Sequence, residues 1–246
     1  MRHPKNPIFI AIDICDLAEA YQFCDNIKDI AGGFKLGLEF FLKNGYDGVR
    51  KIASLGCPIF LDLKFHDIPN TVNAAVREAT KMQPYMLTLH ASGGEKMLAQ
   101  AKEEASKTAI ALGIHNPLII AVTILTSFDD FQYKKLGFRR SVANQVLHMA
   151  KMAKNAGVDG LVCSPLEAPL VKEQFGSNLK LITPGIRLNN KISGDKTSEV
   201  TTMDDQNRIS TLQDARKNGA DFLVVGRAIT KAKNPRQALE QMVKHL

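Results

Sequence analysis

The feature that most constrains the fold is a regular alternation of short apolar, β-branched runs with longer amphipathic stretches. The intervening stretches are rich in Ala, Lys and Glu, which is typical of helices that cover one face of a sheet. Glycines end several of these helices just before the next strand, at Gly56, Gly157 and Gly219. The eight predicted strands are 8–13, 32–37, 59–65, 86–90, 118–125, 160–164, 180–186 and 222–228.

Strands that alternate with helices predict βαβ units and therefore a parallel sheet. Eight such units in 246 residues fit an α/β fold of the (β/α)8 TIM-barrel type. The alternative is a doubly wound open sheet, which usually carries a glycine-rich phosphate turn after its first strand. The corresponding segment, AIDICDLAEA (11–20), contains no glycine. Because we find no linker or low-complexity segment, we expect residues 1–246 to form one barrel domain.

The composition limits the class of partner. The formal net charge is +7, which favours an anionic ligand, but the basic residues are interspersed with acidic ones. The chain has no Trp, and aromatic residues make up only 7%, so it lacks the aromatic platform on which nucleic-acid bases stack. We therefore expect no nucleic-acid partner, whereas a small phosphorylated substrate is compatible with this charge.

The sequence also predicts a cytoplasmic protein without a membrane or metal partner. No apolar run approaches the roughly 20 residues that a membrane span needs. The basic, then apolar start resembles a signal peptide, but Asp13 and Asp16 interrupt it, and we interpret it as the first strand. The cysteines form no C-x-x-C pair and lie at no metal-site spacing, so a reducing compartment is the simplest interpretation; they are Cys15, Cys24, Cys57 and Cys163.

The segment DLKFHDIPNT (62–71) places two acids and a lysine at the end of the third predicted strand. Alternate side chains of a strand share a face, so Asp62 and Lys64 point together, away from the apolar set of Leu61, Leu63 and Phe65. In a barrel the apolar set contacts the helices and the charged set enters the barrel mouth. Charged residues at this end of a barrel strand are usually catalytic.

The alternative for this segment is an exposed edge strand whose charges form a surface ion pair, worth at most about 1 kcal/mol. A barrel has no exposed edge, which favours the catalytic interpretation. Asp67 follows the strand in the next loop, and Pro69 fits the first turn of the following helix.

Other predicted strands also end in residues suited to chemistry. Asp13 ends the first strand, and Lys35 lies near the end of the second. Arg187 follows the seventh, and Gly226 and Arg227 end the eighth. A Gly-Arg pair at this last position is suited to phosphate, because a bare backbone N–H allows close approach and a guanidinium binds in a bidentate manner.

Together these segments resemble the orotidine 5′-phosphate decarboxylase family, in the same order and over essentially the whole chain. DLKFHDIPNT is the most specific of them, since related barrels share only its D-x-K-x-x-D core. The segments that carry the resemblance are IDICD, FKLG, FLDLKFHDIPNT, VTILTS, TPGIR, DDQNR and VVGRAIT.

The resemblance implies a role for each matching residue. Lys64 resembles the catalytic lysine that protonates C6 as carbon dioxide leaves, with Asp62 beside the departing carboxylate. Lys35 completes the charge array. Asp67 resembles the aspartate that each subunit contributes to its partner's site, together with Ile68 and Thr71.

The resemblance also implies the substrate contacts. Asp13 and Lys35 are expected near the ribose hydroxyls, Thr126 and Ser127 near the pyrimidine, and Pro184 at the pocket wall. The positions expected on the phosphate side are Arg187, Gln206, Gly226 and Arg227. Gln206 follows Arg187 by 19 positions (206 − 187), a longer separation than the bacterial-type pattern, so the alternative is that this insertion re-aims the loop.

The resemblance further implies orotidine 5′-phosphate (OMP) as substrate, UMP as product, no metal or organic cofactor, and a homodimer with composite active sites. Two predicted loops after strands, 126–141 and 187–208, are long enough to act as lids. One rival is a related sugar-phosphate decarboxylase or aldolase that uses a magnesium-bound enediolate. Such an enzyme needs a metal-binding acid near the end of the second strand, where this chain has Lys35. The nearby acid Glu39 is predicted to lie already in the helix, which argues against this rival. Another is a non-catalytic phospholigand-binding barrel, which would not need Lys64 between two aspartates.

Overall fold

Eight parallel strands form a closed barrel in the computed structural model, which describes residues 3–187 and 210–246. Successive strands pair along the chain, and the last strand pairs with both the seventh and the first to close the ring. The predicted (β/α)8 barrel is therefore confirmed. The barrel strands are β1 (Ile8–Ile12), β2 (Gly33–Gly37), β3 (Ile59–Phe65), β4 (Met86–His90), β5 (Leu118–Val122), β6 (Gly160–Val162), β7 (Lys180–Thr183) and β10 (Phe222–Val225).

Helices connect the strands and surround the barrel. In addition, two short 3-10 turns occur at Ala91–Gly93 and Gly176–Asn178. The helices are α1 (Leu17–Ile27), α2 (Leu38–Ala53), α3 (Pro69–Lys81), α4 (Gly94–Leu112), α5 (Asp130–Lys135), α6 (Val142–Asn155), α7 (Ala168–Phe175), α8 (Leu212–Lys217), α9 (Arg227–Thr230) and α10 (Pro235–Lys244).

The ends of these helices follow local chemistry. The Asp16 carboxylate caps α1 by accepting a 2.8 Å hydrogen bond from the Glu19 amide. Pro69 opens α3, where its missing N–H costs nothing. After α6, Gly157 turns the chain at a φ of 73°, in the left-handed region that glycine adopts without strain.

Several predicted strands are too long. β5 ends at Val122 rather than at 125, and β6 ends at Val162 rather than at 164. β7 ends at Thr183 rather than at 186, because Ile186–Arg187 (β8) pairs instead with Ser210–Thr211 (β9) in a separate two-stranded sheet. β10 ends at Val225 rather than at 228, because helix α9 begins at Arg227.

The prediction of a continuous loop at 126–141 is wrong, since this connection contains α5. The Asp129 carboxylate accepts a 2.7 Å bond from the Gln132 amide, and the Gln132 side chain bonds back to the Asp129 amide, so a capping box starts the helix. The Tyr133 ring stacks on Phe138, with ring centroids 4.5 Å apart. A short helix held by caps and ring contacts lacks the long apolar periodicity by which a helix is predicted.

The core has two layers. The larger lies between the sheet and the helices, and the smaller fills the inside of the barrel. Inside, the Phe9 ring lies 6.1 Å from the rings of Phe60 and Tyr85 and 5.6 Å from that of Phe222, measured between centroids. These rings come from the first residues of their strands or just before them. They close the N-terminal end of the barrel and leave its C-terminal end to polar residues.

At the N-terminal end of the barrel, two aspartates make the same set of contacts, each to a helix lysine and to a strand amide. Asp159, just before β6, pairs with Lys102 of α4 and accepts a 2.7 Å bond from the Ile119 amide of β5. Asp221, just before β10, pairs with Lys172 of α7 and accepts a 2.8 Å bond from the Leu181 amide of β7. Each aspartate therefore joins a helix to a neighbouring strand.

No helix within residues 3–187 and 210–246 has both the length and the apolar character required to cross a bilayer.

Candidate active site

Polar side chains converge at the C-terminal end of the barrel. The alternation along β3 directs Phe60, Asp62 and Lys64 inward, while Leu61 and Leu63 join the outer apolar layer. On the neighbouring strand β2, Lys35 points to the same side, since its ammonium reaches Asp62. The strand pattern predicted from the sequence is confirmed for these residues.

Asp62 is the centre of a buried charge cluster. Its Oδ2 lies 2.8 Å from Nζ of Lys64 and 3.5 Å from Nζ of Lys35, and the residue is only 7% exposed. Burial raises the pKa of this carboxyl. The charges of both lysines and the hydrogen bonds that it accepts from Lys64 and Thr88 outweigh burial, so the pKa of Asp62 lies below its ordinary value. The cluster therefore holds an ionised carboxylate between two ammonium groups.

The backbone of Lys64 is unusual. Its φ is 51°, in the left-handed region where a residue with a side chain is strained by roughly 1–3 kcal/mol. The pairing of β3 with β4 shifts here, because Leu61 pairs with Leu87 and Phe65 with Leu89. Three residues of β3 thus face one residue of β4, which is a bulge, and such bulges re-aim side chains at active sites.

Thr88 is the residue of β4 opposite this bulge, and it is fully buried. Its hydroxyl accepts a 2.9 Å bond from the Lys64 amide and donates a 2.9 Å bond to Oδ1 of Asp62. Thr88 is not among the residues predicted from the sequence. The signal available was a lone hydroxyl in the apolar run MLTLH, two positions before the inward-facing His90.

His90 also lines the mouth and was also missed. Its ring centroid lies 5.4 Å from that of His66, which follows β3. Burial, then the neighbouring His66 and Lys64, lower the pKa of His90 below its ordinary value of 6.5. The imidazole is therefore neutral at neutral pH and adds no third positive charge to the cluster.

Asp67, Ile68 and Thr71 lie close together in the chain, where the connection after β3 enters α3. All three are exposed, and Ile68 is 67% exposed although it is apolar. The Asp67 carboxylate accepts a 2.6 Å bond from the Ile68 amide, and within residues 3–187 and 210–246 it pairs with no lysine or arginine. The structure of one chain thus brings Asp62, Lys64 and Lys35 together but leaves Asp67 outside their cluster.

Most remaining predicted residues also lie at the ends of strands. Asp13 follows β1, and a Cβ added to Gly226 would lie 3.7 Å from its Oδ2, so the ends of β1 and β10 are neighbours. Arg227 opens α9 directly after Gly226 and is exposed. The other predicted positions are Thr126 and Ser127 after β5, Pro184 after β7, and Arg187 within β8.

Gln206 lies outside the described residues, as does most of the predicted loop 187–208. Glu39 lies in the first turn of α2, as predicted, where its carboxylate accepts a 3.0 Å bond from the Cys15 thiol. In the part of the chain that the structure describes, no three His, Cys, Asp or Glu side chains are grouped closely enough to hold a metal ion.

The chain matches the sequence profile of the Orotidine 5′-phosphate decarboxylase / HUMPS family over residues 6–242. It belongs to this family. The resemblance stated from the motifs is thereby confirmed.

Individual relatives agree with this assignment. The chain is 44% identical over 235 residues to a Rhodospirillum rubrum protein named orotidine 5′-phosphate decarboxylase, covering 95% of this chain and 91% of the relative. The crystal structure of orotidine 5′-phosphate decarboxylase from Lactobacillus acidophilus matches with a TM-score of 0.82 and 35% identity, over 98% of both chains.

A more distant structure, the Methanocaldococcus jannaschii enzyme complexed with the inhibitor BMP, matches with a TM-score of 0.72 at 21% identity, over 99% of both chains. At this identity the likeness supports the barrel fold alone. The prediction that the chain is an enzyme of the carboxy-lyase class is confirmed by the family and by its named relatives.

Proposed function

We propose that the protein decarboxylates orotidine 5′-phosphate to UMP and carbon dioxide, in the pyrimidine biosynthesis of the cytoplasm, with Lys64 as the proton donor and residues 1–246 acting as one domain. The observation that carries the mechanism is the buried cluster in which Lys64 and Lys35 both contact Oδ2 of Asp62. The names of the relatives support the substrate.

The chemistry follows from this cluster. The bond between C6 and the carboxylate breaks, carbon dioxide leaves, and the electron pair remains on C6. No ring carbonyl is placed to delocalise this pair well, so a fixed ammonium beside C6 stabilises the developing charge. The Lys64 ammonium then transfers a proton to C6, which gives UMP, and the amine regains a proton from solvent. No metal or organic cofactor enters the proposed reaction.

Asp62 and Lys35 prepare this step. Asp62 is ionised and bonded to Lys64, so it favours the charged form of the lysine that must donate the proton. It also occupies the place beside the departing carboxylate. Lys35 contacts the same oxygen of Asp62 at 3.5 Å, which partly neutralises a carboxylate that is almost completely buried.

The phosphate contacts supply binding energy away from C6. Gly226 and Arg227 begin α9 at the mouth, where barrels commonly bind phosphate. With Arg187 and Gln206, these residues anchor the phosphate. Asp13 and Lys35 contact the ribose, while Thr126, Ser127 and Pro184 enclose the pyrimidine. Binding energy from the remote phosphate can then be used to order the site for the reaction.

We also propose a homodimer whose active sites are composite. The Asp67 carboxylate lies outside the Asp62 cluster of its own chain, and Ile68 beside it is apolar and 67% exposed. On the adjacent helix α2, Leu38 and Leu42 are 52% and 83% exposed. An apolar exposed face beside the mouth supports a second copy of this chain as its partner, with Asp67, Ile68 and Thr71 entering the neighbouring site.

The deciding experiment follows the absorbance of orotidine 5′-phosphate with the purified protein, with and without a chelator. We expect turnover that is insensitive to the chelator. A sugar-phosphate decarboxylase or aldolase that depends on magnesium would lose its activity on chelation. Binding of the nucleotide without turnover would support a phospholigand-binding barrel instead.

A further inference from the structure

The hydroxyl of Thr88 links two parts of the charge cluster. It accepts the hydrogen bond of the Lys64 amide at 2.9 Å and donates its own proton to Oδ1 of Asp62 at 2.9 Å. The bulge removes the Lys64 amide from the ordinary ladder of β3 and β4, so this N–H depends on the hydroxyl for a partner. A buried hydroxyl that donates once and accepts once uses its one proton fully.

The two oxygens of Asp62 are thereby divided between different partners. Oδ1 accepts from Thr88, while Oδ2 faces Lys64 and Lys35. This division fixes the rotation of the carboxylate about its last bond. The same hydroxyl holds the left-handed backbone of Lys64, from which the ammonium side chain extends.

We propose that Thr88 is a positioning residue, whose hydroxyl holds both the backbone of Lys64 and the carboxylate of Asp62 in the geometry that proton transfer requires. This inference rests on the proposed function. It assigns Thr88 no contact with the substrate. Its effect passes through the placement of the two charged groups.

The test compares Thr88→Val, which keeps the shape but removes the hydroxyl, with Thr88→Ser, which keeps the hydroxyl. We expect Thr88→Val to lower kcat on the order of 10–100-fold, because small misplacement of a reacting group is costly. KM should change less, since the phosphate contacts remain. Thr88→Ser should restore most of the kcat.

A pH profile separates positioning from general loss of structure. The hydrogen bond from Thr88 helps to lower the pKa of Asp62, so in Thr88→Val the acidic limb of the kcat profile should move to higher pH. If Thr88→Val does not fold, Thr88→Cys takes its place in the test. Because a thiol is a weaker donor than a hydroxyl, we expect the kcat of Thr88→Cys to lie below those of the wild type and Thr88→Ser but above zero.

The outcomes are distinct. Full kcat in Thr88→Val, equal losses in the Val and Ser variants, or full kcat in Thr88→Cys would overturn the inference. An inactive wild-type protein would instead overturn the proposed function.

A second inference concerns the connection 123–141 between β5 and α6, which begins at the barrel mouth. Its two carboxylates are used locally, because Asp129 caps α5 and Asp130 accepts a 2.7 Å bond from the Val142 amide. Its cations are all exposed, and among the described residues none lies within 4.0 Å of a carboxylate; they are Lys134, Lys135, Arg139 and Arg140.

The connection therefore carries a local charge of 4 − 2 = +2 beside the entrance. We propose that these cations attract phosphorylated substrate to the mouth and increase its association rate. This second inference also rests on the proposed function, whose substrate carries both a phosphate and a carboxylate. Clusters of one sign of charge beside a cleft increase the association rates of oppositely charged ligands.

The probe is UMP, whose association rate constant is measured by phosphorus NMR exchange at low and high salt. Replacing the four cations by Gln should lower this constant on the order of threefold to tenfold at low salt. The difference should disappear at high salt. The matched control replaces four exposed lysines near the C-terminal ends of helices, and so at the opposite end of the barrel: Lys81, Lys107, Lys151 and Lys244. An equal decrease of the association rate constant in the control, or no decrease in the first variant, would overturn the inference. Absence of turnover by the wild type would instead contradict the proposed function.

Discussion

Lys64 and Asp62 stand two positions apart on one strand, and Nζ of the lysine lies 2.8 Å from Oδ2 of the aspartate. Their side chains share the inner face of the barrel, and the left-handed backbone at Lys64 changes the direction in which the lysine side chain leaves the strand. Asp62 is the buried member of the pair, and the charges of Lys35 and Lys64 offset the cost of burying its carboxylate, because an isolated buried charge is strongly disfavoured. Changes at either residue should therefore affect chemistry more than binding.

We predict that Lys64→Ala abolishes turnover, by on the order of 10³-fold or more, because it removes both the stabilising cation and the proton source. UMP should still bind detectably, since its phosphate and ribose contacts lie elsewhere. The absorbance assay and calorimetry with UMP measure the two effects. The control is Lys107→Ala, which removes an exposed lysine of α4 that pairs with Glu103, and it should keep full activity. Near-normal turnover in a folded Lys64→Ala protein would refute its role as proton donor.

We predict that Arg227→Ala weakens kcat/KM for the 5′-phosphorylated substrate by on the order of 10–100-fold, the worth of one charge-assisted contact. Turnover of the unphosphorylated nucleoside should hardly change, since it lacks the phosphate that we propose Arg227 binds. The control is Arg236→Ala, which removes an arginine of α10 that pairs with Asp29 away from the mouth. Equal losses on both substrates would indicate that Arg227 supports the fold instead.

The sequence predicted the barrel and the position of the charge cluster for a simple physical reason. Both depend on alternation along single strands and on the order of elements, and β3 alone shows that Asp62 and Lys64 share a face. Thr88 could not be assigned in the same way, because its bonds depend on the register between β3 and β4 and on the bulge at Lys64. Asp67 illustrates a further limit, since the residues around it in the sequence are the same whether its carboxylate acts in its own barrel or in that of a second chain.

We predict that Asp159→Ala lowers the free energy of unfolding by about 1–3 kcal/mol, because it leaves the buried Ile119 amide without its acceptor and Lys102 without its partner. Asp159→Asn, which keeps an acceptor oxygen, should cost less. The control, Glu103→Ala, removes an exposed helix pair and should cost at most about 0.5 kcal/mol. Urea unfolding measures all three. Equal losses for Asp159→Ala and Glu103→Ala would contradict a structural role at the base of the barrel.

We predict that stability falls as pH drops below about 6.5, the ordinary pKa of histidine. Burial, His66 and Lys64 lower the pKa of His90, so the unfolded chain takes up a proton in a range where the folded protein does not. That difference favours unfolding at the lower pH. Asp62 does not contribute to the change in stability between about pH 7.5 and pH 5, because its ordinary pKa is 3.8 and its pKa in the folded protein is lower still, so it stays ionised in both states.

The variant that checks this assignment is His90→Gln, measured by urea unfolding between about pH 7.5 and pH 5. It should lose less stability over this range than the wild type does. His245→Gln, near the C-terminus and exposed, should behave as the wild type. An unchanged pH dependence in His90→Gln would show that another group is responsible.

The last prediction concerns Asp67 and the composite site. If Asp67 acts in the partner's site, a mixture of inactive Lys64→Ala and inactive Asp67→Ala should regain activity after subunits exchange. In the mixed dimer one site carries both lesions and the other carries neither. Equal amounts that mix statistically should restore roughly a quarter of the wild-type sites, because half of the dimers are mixed and each has one intact site.

The matched control mixes Lys64→Ala with Asp62→Ala. These two residues contact each other within one chain at 2.8 Å, so every site of their mixed dimer retains one lesion and no activity should return. Subunit exchange is verified independently by mass spectrometry of differently labelled chains. If exchange occurs and the Lys64→Ala and Asp67→Ala mixture stays inactive, Asp67 belongs to the site of its own chain, and the composite arrangement is wrong. If activity returns in the mixture of Lys64→Ala and Asp67→Ala and does not return in the control mixture, Asp67 and Lys64 meet across the dimer.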